Sequence, residues 1–347
     1  MTSRTPRKSR STSGIAASAN GPSASSISAV AALAGVSTAT VSRVLNRSKP
    51  VNAETQQRVE AAVSQLGYRA NPFARSLTSG ESRLILVLTP DFLNPFFAEI
   101  VQGIESVTRR SGYSILLSQA SDTAPLDTVY ERLVDGVISL AHLRDPKALS
   151  GTDRKHNLPW VACSEFRPDD DIPYVSIDHR QGAIDAVQYL LNRGHRRIAL
   201  LTAAEDYTWA RQRRIGYEET LRRAGLTVDP ALIRVARGTE YADGIEAVGG
   251  LLSLQDLPTA IFAVADTLAI GAIKALRRAG RRVPEDVAVV GFDNLHLAQV
   301  FEPSLTTIAQ PMRELGQAAV ELLLGQLAGE KPVSRMLPHT LVVRESG

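Results

Sequence analysis

The chain has one cysteine in 347 residues, Cys163. No internal disulfide can form, and this usage suits a reducing cytoplasm. Cys163 lies in an apolar stretch, where buried filler is expected rather than a reactive thiol. No apolar run approaches the roughly 18–20 residues of a membrane span, so no membrane partner is expected. The N-terminal stretch lacks the continuous apolar segment of a secretory signal. Enzyme signatures are missing too. There is no Gly-x-Gly-x-x-Gly after the first apolar run, no phosphate-binding loop, and no metal-ligand spacing among six histidines. No catalytic residue, metal or cofactor is expected, and His195 in Gly194-His195-Arg196 reads as structural.

Acid is also missing from one end. The first 53 residues hold seven basic side chains and no Asp or Glu, and the first acid is Glu54. Residues 1–83 carry 11 basic and 3 acidic side chains, whereas residues 84–347 carry 28 and 33. The basic excess is confined to the N-terminal quarter, which points to a polyanion partner there. Residues 1–25 are mostly Ser, Thr, Ala, Pro, Gly and Arg with almost nothing to bury, and read as a disordered basic tail.

Beyond the tail the chain is patterned. Val30 to Asn46 reads as helix, tight turn, second helix. Gly35 supplies the turn and Ser37 is placed to cap the second helix. Val30, Leu33, Val36, Val41 and Leu45 fall at spacings that bury one face. Thr38, Ala39, Thr40, Ser42 and Arg43 remain on or near the other, the build of a recognition helix for the DNA major groove. A plain helical hairpin would share this pattern; the local charge favours DNA. Thr38, Ala39 and Arg43 are the candidate base readers, because a guanidinium can pair with guanine O6 and N7 and small methyl groups can meet a thymine methyl. Arg43 on phosphate alone is the alternative. Thr40 and Ser42 are expected on phosphates. A third helix is predicted from Glu54 to Leu66 with Asn52 as cap, and a short one after Asn71-Pro72, ended by Gly80.

From Leu84 the rhythm changes to short apolar runs alternating with helical stretches. Strands are expected at 84–88, 114–117, 137–140, 160–163, 198–202, 232–235, 260–264 and 287–292, and helices at 95–110, 181–192, 210–224, 242–254 and 267–279. That alternation predicts doubly wound parallel sheets, split into two lobes, with ligands at strand C-terminal ends in the cleft between them. The expected organisation is a tail (1–25), a helix-turn-helix DNA-binding domain (26–70), a hinge helix and linker (71–83) and an α/β core (84–347).

Residues 27 to 346 resemble the LacI/GalR family of transcriptional repressors. Gly35-Val-Ser-Thr-Ala-Thr-Val-Ser-Arg43 and Leu66-Gly-Tyr68 match the head, and Ala74-Arg-Ser-Leu77 matches the hinge. Pro90 to Glu99, Gly194 to Ile198, Val283-Pro-Glu-Asp286, Gly291-Phe-Asp293 and Leu305-Thr-Thr307 match the core. Glu81-Ser-Arg83, Asn157-Leu-Pro159, Glu165-Phe166 and Thr306 to Pro311 look most like the cytidine-responsive branch. The resemblance implies periplasmic-binding-protein-like lobes, a homodimer or tetramer, a pseudo-palindromic double-stranded operator and a small-molecule effector in the cleft. It implies lobe 1 at about 84–180 and 312–330, lobe 2 at about 181–311 and 331–347, and a third crossing near Gln310. It makes Leu77 a minor-groove wedge, with Asn71 and Arg75 beside it on DNA.

Two departures stand out. Ala265 replaces a usual Asn that often contacts effector, and Asp122–Tyr130 is several residues short of the usual helix. In the cleft the candidates are Phe96, Trp209, Arg213 and Asp293. Phe96 would either offer an exposed stacking face or pack in the core, with Phe97 beside it the likelier core member. Arg213 matches the family's effector-binding Arg, although its run Arg211-Gln-Arg-Arg214 could be a solvated helix face. Asp293 could accept a ribose diol. Asp266 reads as a helix cap. A nucleoside is favoured as effector over a sugar. A transporter's solute-binding protein and an α/β enzyme acting on sugars or nucleosides are the competing functions.

Overall fold

The computed structural model describes residues 26–46, 49–68, 81–120, 133–141, 158–167, 169 and 171–347. The tail, the expected hinge helix with Asn71, Arg75 and Leu77, and the shortened 122–130 stretch lie outside the described residues. The chain divides into two compact units, Met1–Gly80 and Glu81–Gly347. No single helix among the described residues is long and apolar enough to cross a membrane.

The first unit contains α1 (Ile27–Ala34), α2 (Thr38–Asn46) and α3 (Ala53–Gln65). Each start has a side-chain cap. Ser26 Oγ accepts from Ala29 N at 3.2 Å, Ser37 Oγ from Thr40 N at 3.2 Å, and Asn52 Oδ1 from Thr55 N at 2.7 Å. Gly35, at φ 65°, ends α1 in the left-handed region, where a Cβ is costly. The α1–α2 pair is bent by 101°, the turn of a helix-turn-helix. Val30, Ala31, Ala34, Val41, Val59 and Ala62 form its small core. Leu33 corrects the expected face, because it is 48% exposed. The inward stripe of α1 is set by Val30, Ala31 and Ala34, and Leu33 lies roughly 100° round the helix from its centre.

The second unit is two lobes, each built on a six-stranded sheet. Sheet 1 has β1 (Leu84–Thr89), β2 (Ser114–Gln119), β3 (Gly136–Ser139), β4 (Trp160–Cys163), β5 (Tyr174–Ile177) and β11 (Arg335–Leu337), in the order β11-β5-β4-β3-β1-β2, all parallel. Sheet 2 has β6 (Ile198–Thr202), β7 (Ile233–Val235), β8 (Ala260–Ala263), β9 (Ala288–Asp293), β10 (Thr306–Ala309) and β12 (Thr340–Val342), in the order β12-β10-β9-β8-β6-β7. Only β12 runs antiparallel, against β10. Buried Val, Ile and Leu fill the inner strands, as sheets covered on both faces require.

Among the described residues of this unit the helices are α4 (Pro95–Arg110), α5 (His179–Asn192), α6 (Thr208–Arg223), α7 (Tyr241–Leu252), α8 (Asp266–Arg278), α9 (His296–Val300) and α10 (Met312–Leu327). Six of them pack in pairs: α10 on α4, α5 on α6, α7 on α8. A Cβ on Gly316 would strike the carbonyl oxygen of Ile100, and one on Gly103 that of Arg313, so α4 and α10 approach backbone to backbone.

The chain crosses between the lobes after β5, at Gln310-Pro311 and at Pro338-His339. Gln310 therefore lies at the second crossing, not the third. The assignment of 331–347 wholly to lobe 2 is also corrected, since β11 pairs with β5 and returns the segment first to lobe 1. His179 and Arg180 begin a lobe 2 helix. The strands β5, β10, β11 and β12 are not among those the sequence predicts; each is three or four residues, too short to show a period. Leu232 falls in a 3-10 turn, Pro230–Leu232, ahead of β7.

Candidate functional site

Strand C-terminal ends from both sheets face one cavity of about 580 Å³. Lobe 1 contributes Pro90, Asp91, Asn94, Phe96, Phe97, Gln119, Leu140, Ser164 and Glu165. Lobe 2 contributes Tyr207, Trp209, Arg213, Asp243, Ala265, Asp293 and the 237–240 turn. All four cleft candidates, Phe96, Trp209, Arg213 and Asp293, thus line one space.

Arg213 organises the floor. It projects from the second turn of α6 and is 3% exposed, so the solvated-face alternative does not hold. Nη1 donates to the carbonyl of Val264. Nη2 lies 3.1 Å from His179 Nδ1. Arginine only donates, so Nδ1 is the acceptor and the His179 proton sits on Nε2. That Nε2 lies 3.3 Å from Ser176 Oγ and 3.4 Å from the Ser164 carbonyl. Burial, then the neighbouring guanidinium, push His179 well below its ordinary pKa, so it stays neutral. The guanidinium lies 3.5 Å over the Phe292 ring and 5.0 Å from Trp209. Burial lowers the Arg213 pKa to about 10, opposed by the charges of Asp293, Glu165 and Asp266, and it remains a cation at neutral pH.

Asp293 ends β9 at φ 125°, a left-handed backbone for a non-glycine residue at a strand end facing the cavity. Its Oδ1 accepts from Gln310 Nε2 at 2.7 Å and lies 3.9 Å from Arg213 Nη1. Burial raises its pKa to about 6, against the lowering effect of Arg213. Behind it Asp266 is fully buried, accepting from Leu295 N at 2.8 Å and Thr307 Oγ1 at 2.6 Å. Burial and the charge of Asp293 raise the Asp266 carboxyl well above its usual range. Asp266 is therefore no helix cap. It is the first residue of α8, the cap position is Ala265, and its side chain ties the turn after β9 to β10.

The aromatic wall also differs from expectation in detail. Phe96 is 7% exposed and belongs to the core, with Phe97 edge-to-face at 5.2 Å; Phe97 is the more open ring. The Asn94 cap and Pro95 start α4 there, with Phe96 in the core and Phe97 packed against it. Trp209 is half-buried and stacks on Tyr207 at 5.6 Å. Cys163 is fully buried at the end of β4, and burial pushes its thiol to about 12, as expected of filler. His195 Nδ1 lies 3.0 Å from Thr259 Oγ1, a structural link between two strand starts.

Glu165, His179 and Gln310 do not stand out as site residues in the sequence. Glu165 could have been found, since it directly follows a strand end on the cleft side. His179 and Gln310 lie at lobe crossings, whose position depends on strands too short to read.

In the head, Thr38, Ala39 and Arg43 are exposed on α2, while Thr40 and Ser42 are half-buried. The Thr40 hydroxyl lies 2.9 Å from Ser37 Oγ, so it is shared with the cap. Among the described residues no three His, Cys, Asp or Glu side chains gather as a metal site would need.

Residues 26–71 match the model of bacterial regulatory proteins of the lacI family, and residues 187–347 match a periplasmic binding protein-like domain. The chain is 39% identical over 325 residues to the HTH-type transcriptional repressor CytR of Escherichia coli (strain K12), covering 91% of this chain and 94% of that one. The lac repressor dimer bound to operator and the anti-inducer ONPF superposes with a TM-score of 0.82 at 31% identity, covering 91% of this chain and 97% of that one. A transcriptional regulator CelR–cellobiose complex superposes at 0.69 with 33% identity, covering 93% and 99%. With both its head and its core matched, the chain belongs to the lacI family of bacterial regulatory proteins: it is a transcriptional regulator with a helix-turn-helix head and a periplasmic-binding-protein-like core.

Proposed function

We propose that this regulator represses transcription by holding a pseudo-palindromic operator as a homodimer, and that a nucleoside, cytidine first, binds between its lobes and alters that hold. Thr38, Ala39 and Arg43 read base edges, Thr40 and Ser42 meet phosphates, and Asn71, Arg75 and Leu77 act at the operator centre, with Leu77 as the wedge. The basic excess of residues 1–83 supplies the sequence-independent part of the affinity.

The convergence of Phe96, Trp209, Arg213 and Asp293 on one cavity carries the effector reading. An aromatic face suits a base, and such stacking is worth roughly 1–3 kcal/mol per base in single-stranded nucleic-acid sites. Asp293 suits the ribose diol. Arg213 adds a buried cation to the lining, and its Nε–H has no hydrogen-bond partner among the described residues. Ala265 presents no amide for a hexose hydroxyl.

Calorimetry with cytidine, adenosine, ribose and common hexoses tests this, followed by operator binding with and without the ligand found. Cytidine is expected to bind and to change operator affinity. A hexose that binds where no nucleoside does would overturn the effector assignment.

A further inference from the structure

The helix that carries Trp209 and Arg213 lacks a cap of its own. Tyr207 stands at the cap position of α6 and makes no side-chain hydrogen bond to the first turn. Those N–H groups are taken instead from the other lobe: the carboxylate of Glu165, just past β4, accepts from Thr208 N at 2.9 Å and Trp209 N at 3.3 Å. Glu165 is 5% exposed and lines the cavity beside Arg213. A helix start facing a ligand cavity would ordinarily suit an anion. Here a carboxylate of the protein already stands in that place.

The rest of the lining has the same sign. Among the described residues it holds the carboxylates of Asp91, Glu165, Glu240, Asp243 and Asp293 against the guanidinium groups of Arg213 and Arg237. Arg213 is balanced by Asp293 and spends both Nη atoms on Val264 and His179. Arg237 is 84% exposed and paired with Glu246 at 3.2 Å. Two other helix starts at the cavity are also filled: Asn94 Oδ1 holds Phe96 N at 3.0 Å, and Asp243 Oδ2 holds Glu240 N at 2.9 Å, whereas that of α8, at Ala265, has no side-chain cap.

From this we infer that Glu165 sets the charge class of the effector, admitting an uncharged ligand and rejecting its phosphorylated form. The inference rests on the nucleoside reading for the choice of ligand pair, and on the lining alone for the sign of the charge. A phosphate entering near α6 would meet the Glu165 carboxylate, and like charges brought together out of water cost several kcal/mol.

The test uses the full-length chain as wild type, Glu165→Gln and Glu165→Ala, each checked for cooperative melting. The Gln variant keeps the shape, removes the charge and stands in if the Ala variant does not fold. By calorimetry, cytidine 5′-monophosphate should bind wild type at least about 100-fold more weakly than cytidine. Glu165→Gln should narrow that gap at least about tenfold, by gaining on the monophosphate. Equal binding of the pair by wild type, or an unchanged gap in both variants, overturns the inference. A second arm needs no nucleoside: inorganic phosphate is compared with chloride at equal ionic strength by thermal shift. Stabilisation by phosphate confined to the variants supports Glu165 even if no nucleoside binds any protein, in which case only the nucleoside reading falls. If neither nucleosides nor phosphate distinguish the variants from wild type, the role of Glu165 falls.

Discussion

Asp293 and Asp266 show how two carboxyls on one lobe divide their duties. Asp293 lines the cavity with a pKa near 6, raised by burial. Its folded value lies above the ordinary one near 4, so its contribution to stability is complete below about pH 4 and is lost as pH rises through 6. Ligand hydroxyls prefer the ionised form, so effector affinity should run the other way, falling as pH drops from 7.5 to 5.5. Calorimetry across that range should show the fall in wild type and a weaker, flat profile in Asp293→Asn. Asp266 makes its bonds inside the lobe instead. Asp266→Ala should cost about 2–4 kcal/mol of stability, because Leu295 N–H and the Thr307 hydroxyl lose their buried acceptor. Chemical denaturation would measure it; a neutral result would mean the tie between Leu295 and Thr307 carries no energy. In the head, Arg43→Ala should cost about 1–3 kcal/mol on the specific operator and less on random DNA. Equal losses on both would place Arg43 on phosphate.

At the scale of elements, helix pairing depends on absent side chains. Gly316 lets α10 lie against the Ile100 carbonyl of α4. A methyl group there must push backbone from backbone, so Gly316→Ala should destabilise the core by about 1–3 kcal/mol, read as a lower melting temperature. Helices with caps or long apolar stripes were legible in the sequence: Asn52 before α3 and Asn94-Pro95 before α4 announce their starts. Short strands were not. Tyr-Val-Ser-Ile at β5 and Arg-Met-Leu at β11 carry no usable period, and become strands only because a neighbouring strand offers its backbone. The α6 start was equally hidden, since its acceptor comes from a residue 43 positions earlier, in the other lobe.

Across the whole molecule the charge is segregated. Residues 1–83 carry an excess of base and the rest a slight excess of acid, so operator affinity should fall steeply with salt. Removing residues 1–25, with Arg4, Arg7, Lys8 and Arg10, should make the slope of log affinity against log salt shallower by about 0.9 for each of these that touches phosphate. An unchanged slope would show that the head alone meets the DNA.

The class of this protein is readable from its residues without any structure. Charge placement, the Gly35 turn, the Ser37 cap and the alternation after Leu84 are local or additive properties, and they survive reading one residue at a time. The sequence also named four residues that line the cavity, Asp293 at a strand end and Phe96, Trp209 and Arg213 in the first turns of helices. Tertiary structure alone decided what each of them faces. Phe96 packs inward while Phe97 opens, Asp266 ties the turn after β9 to β10 while Asp293 meets the cavity, and Glu165 caps a helix it does not adjoin in the chain. The physical reason is that burial, hydrogen-bond partners and local charge depend on distances between segments far apart in the chain, and those distances exist only once both sheets have formed.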